Sequence, residues 1–252
     1  MTTPPRILAI AGSDSSGGAG IQADIKTIAM LGGYAMTAIT AVTAQNTMGV
    51  LDIVTIPPKS VVLQAEACED IGIDAIKIGM LGSPAIARSV AWDFLPEQPA
   101  DVPVVFDPVM VATSGSVLAS DETVAVFREL MKMATVVTPN LPELEALGGL
   151  DALLVHCPAV LVKGGHVEHD VIVDRLVTRE GEVARWEDPR IETRHTHGTG
   201  CTLSSAIATL LGKGLPLEQA ITEAREFVRR ALLAAPGFGA GHGPMGHYRV
   251  TQ

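Results

Sequence analysis

The sequence predicts a doubly wound α/β fold, in which helices cover both faces of a mostly parallel sheet in three layers, α/β/α. Short apolar runs alternate with stretches of helical periodicity, and the runs end at glycine or polar residues. The stretch Pro139–Pro158 is long enough for one crossover helix between parallel strands. Because no change in composition divides the 252 residues, we expect a single domain over 1–252.

The composition argues against several functional classes. A net charge of −10 is unfavourable for a protein that binds nucleic acid or an anionic membrane through its overall charge. The N-terminal apolar run is too short for a secretory signal, and no run approaches the ~20 residues of a membrane span. Three widely spaced cysteines fit a reducing compartment better than a disulfide framework or a zinc cluster. We therefore expect a cytoplasmic protein that binds neither nucleic acid nor membrane.

The first half of the chain alternates between predicted strands and helices. Strands are expected at Arg6–Ala11, Tyr34–Ala44, Leu51–Ile56, Asp74–Ile78 and Val102–Phe106. Helices are expected over Ile21–Ile28, after Pro57-Pro58 with an apolar stripe of Val61, Val62, Ala65, Cys68 and Ile71, and over Pro84–Phe94. The first strand is expected to break at Gly12. The second resembles a buried strand that delivers the amides of Gln45 and Asn46 at its end.

The second half continues this order and adds an antiparallel pair. Strands are expected at Thr135–Thr138 and Ala159–Val162, with antiparallel strands at His169–Thr178 and Val183–Glu187 around Glu180-Gly181. Helices are expected within Leu118–Met133 after Ser120 and Asp121, in the run that ends near Leu211, and over Pro216–Ala235.

The topology predicts where a ligand binds. In doubly wound sheets, ligands occupy the crevice outside the carboxyl ends of the strands. The candidates at such ends are Gly12, Gln45, Met80, Asp107, Asn140, Glu143 and Lys163. We expect these seven residues to meet at one edge of the sheet.

Two glycine-rich turns precede predicted helices. The turn Gly12–Gly20 lacks the Lys-Ser/Thr of a phosphate loop and the spacing of a dinucleotide-binding turn, so it is interpreted as a place where another ligand approaches the backbone. The turn Gly198-Thr199-Gly200-Cys201 opens a helix whose free amides and dipole favour an anion. The same field is expected to lower the pKa of the Cys201 thiol below ~8.5. The alternative is a tight turn with a threonine cap and a buried cysteine.

Motifs spread over almost the whole chain resemble one enzyme family. They are A-G-S-D-S-S-G-G-A-G-I-Q-A-D (11–24), T-A-Q-N-T (43–47), K-I-G-M-L (77–81), D-P-V-M (107–110), T-P-N-L-P-E (138–143), K-G-G-H (163–166) and H-G-T-G-C-T-L (197–203). The chain resembles the hydroxymethylpyrimidine/phosphomethylpyrimidine kinases of thiamine biosynthesis, in the ribokinase-like superfamily. The resemblance implies a ribokinase-like single domain, usually a homodimer, that uses ATP as co-substrate with Mg²⁺; a monovalent cation is possible in addition. The segment 144–158 looks shorter than is usual for the family.

The resemblance also implies roles for individual residues. The implied activity phosphorylates 4-amino-5-hydroxymethyl-2-methylpyrimidine and then its monophosphate. A primary amide offers the hydrogen-bonding pair complementary to a 4-aminopyrimidine, so Gln45 is a candidate ligand. The other implied substrate residues are Asp24, Gly12, Ala19, Met80 and Val109. Catalysis is assigned to Cys201 with Gly198, Thr199 and Gly200, ATP binding to Lys163, Asn140 and Thr199, and magnesium to Glu143 and Asp107.

Simpler interpretations stay open for several of these residues. In these alternatives, Gln45 only caps the end of a strand and the Asp24 carboxylate only interacts with the dipole of its helix. Met80 is then an ordinary core residue, and Lys163 is simply solvated. His166, His169, His195 and His197 show no zinc-binding pattern and are interpreted as polar loop residues. Within the kinases the alternative function is a pyridoxal/pyridoxine kinase; outside them it is a non-catalytic pyrimidine-binding sensor.

Overall fold

The computed structural model describes residues 3–111, 118, 120–165 and 170–250. Its strands are β1 (Arg6–Asp14), β2 (Tyr34–Asn46), β3 (Gly49–Thr55), β4 (Ala75–Ile78), β5 (Val104–Phe106), β6 (Val136–Val137), β7 (Ala159–Val162), β8 (Val171–Thr178) and β9 (Gly181–Pro189). Its α-helices are α1 (Gly20–Met30), α2 (Pro58–Glu66), α3 (Pro84–Ser89), α4 (Asp121–Met133), α5 (Leu141–Ala146), α6 (Leu150–Leu154), α7 (Thr199–Gly212) and α8 (Leu217–Leu233). A π-helical turn, Val90–Phe94, continues α3.

The strands form one sheet in the order β3-β2-β1-β4-β5-β6-β7-β8-β9. The six central strands from β2 to β7 pair in parallel, whereas β3, β8 and β9 join antiparallel at the two ends. Crossover helices connect the parallel strands and cover both faces. The predicted three-layer α/β/α fold is therefore confirmed, and so is the hairpin at Gly181. The predicted start of its first strand, His169, lies outside the described residues.

Each face of the sheet has its own apolar core, because successive side chains of a strand point to opposite faces. In β4, Ile76 and Ile78 pack in the core under α2, α3 and α4, whereas Ala75 packs in the core under α1, α7 and α8. All four residues of β4 are buried, as expected for a central parallel strand. No helix among the described residues has the length and apolar character needed to span a membrane.

β1 does not end where the sequence suggests. The predicted break at Gly12 is wrong, because the strand continues to Asp14 after a shift of register against β2 between Ala11 and Ser13. A side chain at Gly12 would collide with the terminal methyl group of Met80. Gly12 thus serves as a point of close packing inside a strand.

Three other elements differ from the prediction. α2 ends at Glu66, so Cys68 is only partly buried against the core and Ile71 is exposed. β2 was expected to be a buried strand, but buried residues alternate with partly or fully exposed ones along most of its length. Its neighbour β3 is the end strand of the sheet. In place of one crossover helix after Pro139, the chain forms the two short helices α5 and α6.

Phe127 on α4 is a test of the core. It is 1% exposed and packs edge-to-face against Phe106, with ring centroids 5.1 Å apart. We expect Phe127→Ala to lower the free energy of unfolding by ~3–5 kcal/mol, because it loses apolar burial and leaves a cavity. The matched control is Phe238→Ala, since Phe238 is 63% exposed and the change should stay within ~0.5 kcal/mol. Equal losses in urea unfolding would contradict this description of the core.

Candidate active site

A cavity of about 790 Å³ opens at the carboxyl edge of the parallel strands. Its walls include all seven residues that the topology predicted there: Gly12, Gln45, Met80, Asp107, Asn140, Glu143 and Lys163. Ala19, Val109 and the turn Gly198–Cys201 also line it. The convergence predicted from strand order is confirmed, and the cavity is the candidate active site.

The Asp14 carboxylate organises the first glycine-rich turn. It accepts hydrogen bonds from the backbone amides of Ser16, Gly18 and Ala19, at 2.8–3.0 Å. Its Oδ2 atom also lies 2.8 Å from Nε2 of His197. Burial alone would raise the pKa of Asp14, but the hydrogen bonds from His197, Ser16 and Ala19 lower this pKa to about 2. Asp14 is therefore an ionised acceptor at neutral pH.

The second glycine-rich turn packs directly against the first. Gly198 precedes α7 in the left-handed conformation, with φ of 87°. A side chain there would overlap the carbonyl oxygen of Gly18. Glycine at 198 is thus required both by its backbone conformation and by the close approach of the two turns.

The start of α7 faces a buried cluster of charges. A Cβ on Gly200 would lie 3.3 Å from Oδ2 of Asp107 and 3.5 Å from Nζ of Lys163. Lys163 Nζ lies 2.7 Å from Oδ1 of Asp107 and 3.9 Å from Oε2 of Glu143. The Thr138 hydroxyl also donates to Oδ1 of Asp107, at 2.9 Å. A cation and the positive end of a helix dipole therefore meet beside two carboxylates.

The two carboxylates share one lysine. Burial raises the pKa of Glu143 to about 7, and the Asp107 charge adds to this rise, although Lys163 opposes it. Burial would lower the pKa of Lys163, but its two acidic neighbours raise it, so the ammonium stays charged. The cluster thus carries more negative than positive charge once Glu143 ionises.

Comparison with known proteins identifies the family. The family model described as "Phosphomethylpyrimidine kinase" matches residues 14–246. The chain belongs to this family. It is 42% identical to the hydroxymethylpyrimidine/phosphomethylpyrimidine kinase of Haemophilus influenzae, over 100% of both chains. It is 43% identical to the thiamine biosynthesis bifunctional protein ThiED of Geobacter sulfurreducens, over 98% of this chain and 53% of that longer one.

The solved structure of Bacillus subtilis pyridoxal kinase, determined as an ADP complex, also resembles the chain. The TM-score is 0.85 at 33% identity, over 97% of this chain and 98% of that one. The chain therefore shares the fold of pyridoxal kinases as well as membership of the phosphomethylpyrimidine kinase family. The predicted family and the ribokinase-like fold are both confirmed.

In this family member, the expectation for the Cys201 thiol is wrong. Burial raises the pKa of Cys201 to about 11, and the nearby Asp24 and Asp107 carboxylates add to this rise. Lys77 and a hydrogen bond from the Gly20 backbone lower it by less. The position in the first turn of α7 was predicted correctly, but loss of hydration outweighs the helix dipole there.

Asp24 also differs from the expectation that it contacts substrate. It is 0% exposed and is absent from the cavity lining of the described residues. Both carboxylate oxygens lie 2.9 Å from Nζ of Lys77, and Ser205 donates to Oδ1 at 2.6 Å. Burial would lower the pKa of Lys77, but the charge of Asp24 raises it, so the ammonium stays charged; burial raises the pKa of Asp24 itself, although Lys77 opposes this rise. Asp24 therefore lies behind Cys201 as half of a buried ion pair.

Asn140 has a structural task in addition to its place in the cavity wall. Its side-chain oxygen accepts from the backbone amide of Glu143 at 2.9 Å, and its backbone amide donates to Oε2 of Glu143 at 2.8 Å. This reciprocal cap starts α5 and holds the Glu143 carboxylate in position. Asn46, the second amide expected from β2, instead accepts from the backbone of Met48 and Gly49 in the turn before β3.

Among the residues of the cavity wall to which sequence reasoning assigned no role are Asp14, Thr43 and His197. His197 lies in the loop between β9 and α7, as expected, but it is 4% exposed and bonds to Asp14, which the sequence did not indicate. The signal available was that Asp14 and His197 belong to the two glycine-rich motifs. His166 and His169 lie outside the described residues. Among the described residues, no group of three or more His, Cys, Asp or Glu could hold a metal ion.

The pKa of Cys201 can be measured in a protein in which Cys68→Ser and Cys157→Ser leave it as the single thiol. Because the pKa is raised to about 11, the thiol stays protonated through neutral pH. We expect its alkylation rate to rise ~10-fold per pH unit from pH ~7 to ~10, following the thiolate fraction. Circular dichroism at each pH checks folding, and Cys201→Ser in the same protein gives the background. A rate that levels off below pH ~9 would contradict the raised pKa.

Proposed function

We propose that the chain transfers a phosphoryl group from ATP to the hydroxymethyl group of 4-amino-5-hydroxymethyl-2-methylpyrimidine, and then a second one to the monophosphate. The chain is a hydroxymethylpyrimidine/phosphomethylpyrimidine kinase that acts in thiamine biosynthesis, as its family and relatives indicate. The observation that carries the proposal is that groups suited to the pyrimidine and groups suited to phosphates line the same cavity. One wall offers an amide suited to an aminopyrimidine, and another offers a lysine and a helix N-terminus suited to phosphates.

Gln45 is the proposed ligand of the pyrimidine edge. Its backbone is fixed to the first glycine-rich turn, since its amide donates to Oγ of Ser15 at 2.8 Å and its carbonyl accepts from that hydroxyl at 2.9 Å. Ala19, Met80 and Val109 supply the neighbouring apolar wall, and Gly12 admits the Met80 side chain. An aminopyrimidine bound there would bring its hydroxymethyl group toward Cys201.

Lys163 and the first turn of α7 are the proposed phosphate ligands. Lys163 supplies a point charge, and the amides of Thr199, Gly200 and Cys201 supply hydrogen bonds to charge that develops on the transferred group. Asn140 contributes mainly by holding Glu143. The far end of the cavity has an apolar wall of Ile172, Val228 and Leu232, which suits the base of ATP.

Asp107 and Glu143 are the proposed magnesium ligands. They offer the hard oxygen donors that Mg²⁺ prefers, and kinase sites commonly use one or two carboxylates together with substrate phosphates. Burial and the charge of Asp107 raise the pKa of Glu143 despite Lys163, so a cation bound beside Glu143 would stabilise its ionised form. When bound, the cation would neutralise charge on the ATP phosphates. We assign no residue to a monovalent cation.

Cys201 is the proposed base of the first step. As a thiolate, it takes the proton of the hydroxymethyl group when the oxygen attacks the phosphoryl group. A pKa of about 11 makes the thiolate rare but strongly basic. As a neutral thiol, Cys201 does not repel the phosphate acceptor of the second step. The residue therefore suits both reactions.

Pyridoxal is the second candidate acceptor, since the chain shares its fold with a pyridoxal kinase. We also propose that the protein is a cytoplasmic homodimer. In support of the dimer, Val42, Leu51 and Val54 expose apolar side chains on β2 and the end strand β3, where a second copy would cover them.

The products formed from MgATP and the hydroxymethylpyrimidine, followed over time, test the proposed function. We expect the monophosphate to form first and the diphosphate to follow, with one ADP released in each step. Specificity constants measured in parallel with pyridoxal distinguish the second candidate. Pyrimidine binding in calorimetry without ADP release would contradict kinase activity and would indicate a sensor.

Substitutions at Cys201 are expected to affect the two steps differently. In Cys201→Asp, a fixed carboxylate repels an incoming phosphate dianion; even two unit charges ~4 Å apart repel each other by ~4 kcal/mol at an effective dielectric constant of ~20. This variant should retain part of the first step and lose far more of the second. Cys201→Ser should slow the first step, because a hydroxyl ionises far less readily than a thiol, and it should largely spare the second. Single-turnover rates measure each step, and equal losses in the Asp variant would rule out the charge argument.

A further inference from the structure

The side-chain amide of Gln45 lies between two polar side chains. The structure places its Nε2 atom 3.3 Å from Nε2 of His197 and its Oε1 atom 3.3 Å from the hydroxyl of Thr43. Turning the amide by 180° exchanges its nitrogen and oxygen without moving any other atom. Its two neighbours must therefore decide which end faces which side of the cavity.

His197 presents a hydrogen to the amide. Its Nε2 lies 2.8 Å from Oδ2 of Asp14, which also accepts from the amides of Gly18 and Ala19. Because Asp14 is ionised and can only accept, the hydrogen of this bond belongs to Nε2 of His197. This holds whether the imidazole is neutral or charged. A Gln45 nitrogen on this side would bring two N–H groups together, whereas an oxygen would share the Nε2 hydrogen with Asp14.

Thr43 gives the same result on the other side. Its hydroxyl has one hydrogen and lies 3.1 Å from the carbonyl oxygen of Ser13, to which it donates. It then has no second hydrogen for an amide oxygen of Gln45, but it has a free lone pair that can accept from an amide nitrogen. Both neighbours are satisfied only when the Gln45 oxygen faces His197 and its nitrogen faces Thr43.

We infer that His197, held by Asp14, is a positioning residue that fixes the orientation of the Gln45 amide and thereby selects how the acceptor ring binds. The inference rests on the proposed function. An amide oxygen has two lone pairs and the nitrogen two hydrogens. With one of each used by His197 and Thr43, one of each remains for substrate. The free acceptor lies on the His197 side and the free donor on the Thr43 side.

This order determines which way the pyrimidine faces. Its 4-amino group donates to the oxygen on the His197 side, and its ring nitrogen N3 accepts from the nitrogen on the Thr43 side. C5 is bonded to C4, so the hydroxymethyl group also lies on the His197 side. His197 directly precedes the turn that leads to Cys201. With the amide reversed, the same ring would have to turn over and would direct its hydroxymethyl group away from Cys201.

The 4-oxo analogue of the substrate provides the test, because its C4 oxygen accepts and its N3–H donates. The unsubstituted protein should prefer the 4-amino compound in kcat/KM. His197→Met removes the hydrogen that holds the amide, so we expect this preference to fall ~10-fold or more, with KM for ATP unchanged. His197→Gln retains an N–H at a similar reach and should restore the preference. His156→Met, outside the cavity lining, is the matched control and should leave the preference unchanged.

The outcomes separate this inference from the proposed function. A loss of rate or melting temperature in His197→Met that leaves the 4-amino to 4-oxo preference unchanged would show a merely structural role and overturn the inference alone. Failure of the unsubstituted protein to phosphorylate the 4-amino compound would overturn the proposed function and the inference with it. Nuclear Overhauser effects need no variant. Contacts of the Gln45 amide hydrogens should be stronger to the Thr43 methyl group than to the His197 ring, and the reverse would overturn the inference.

Discussion

The hydrogen bonds accepted by Asp14 connect the two glycine-rich turns on which the cavity depends. Its carboxylate binds the backbone of Gly18 and Ala19 in the turn before α1, and His197 in the turn before α7. Gly198 allows the second turn to approach the first within backbone contact. A buried carboxylate is stable only when its oxygens are satisfied, and here every partner is a donor. The two turns therefore form one wall, which joins the proposed acceptor site to the proposed phosphate site.

Paired charges surround a neutral thiol at the centre of this site. Lys77 is paired with Asp24 behind Cys201, and Lys163 is paired with Asp107 in the cavity wall. The Lys77 pair is fully buried and Lys163 is only 13% exposed, so removing either partner of a pair leaves a poorly hydrated charge uncompensated. The thiol carries no charge of its own at neutral pH because ionising it would add another poorly hydrated anion beside two carboxylates. Burial, rather than the helix dipole, thus determines the resting state of Cys201.

The differences between expectation and structure concern burial more than position. Asp24 was expected to contact substrate, but a neighbour distant in sequence, Lys77, occupies both of its oxygens. The burial of His197 could not be predicted, because the residues that bury it come from the first turn and from the segment around Gly243. Thr43 begins the motif T-A-Q-N-T, but the role of its hydroxyl depends on its contacts with Ser13 and Gln45, which the motif does not show.

The sequence by itself determined the fold class, the order of the elements and the edge of the sheet at which the site lies. These follow from local patterns: apolar strands, helical periodicity, and polar or glycine residues at strand ends. Its motifs also determined the family. Only the tertiary structure decided the partners of Asp24, the protonation of Cys201 and the amide orientation that His197 and Thr43 impose on Gln45. The physical reason is that hydrogen bonding and loss of hydration depend on residues far apart in the chain, such as Asp14 and His197, which no local pattern brings together.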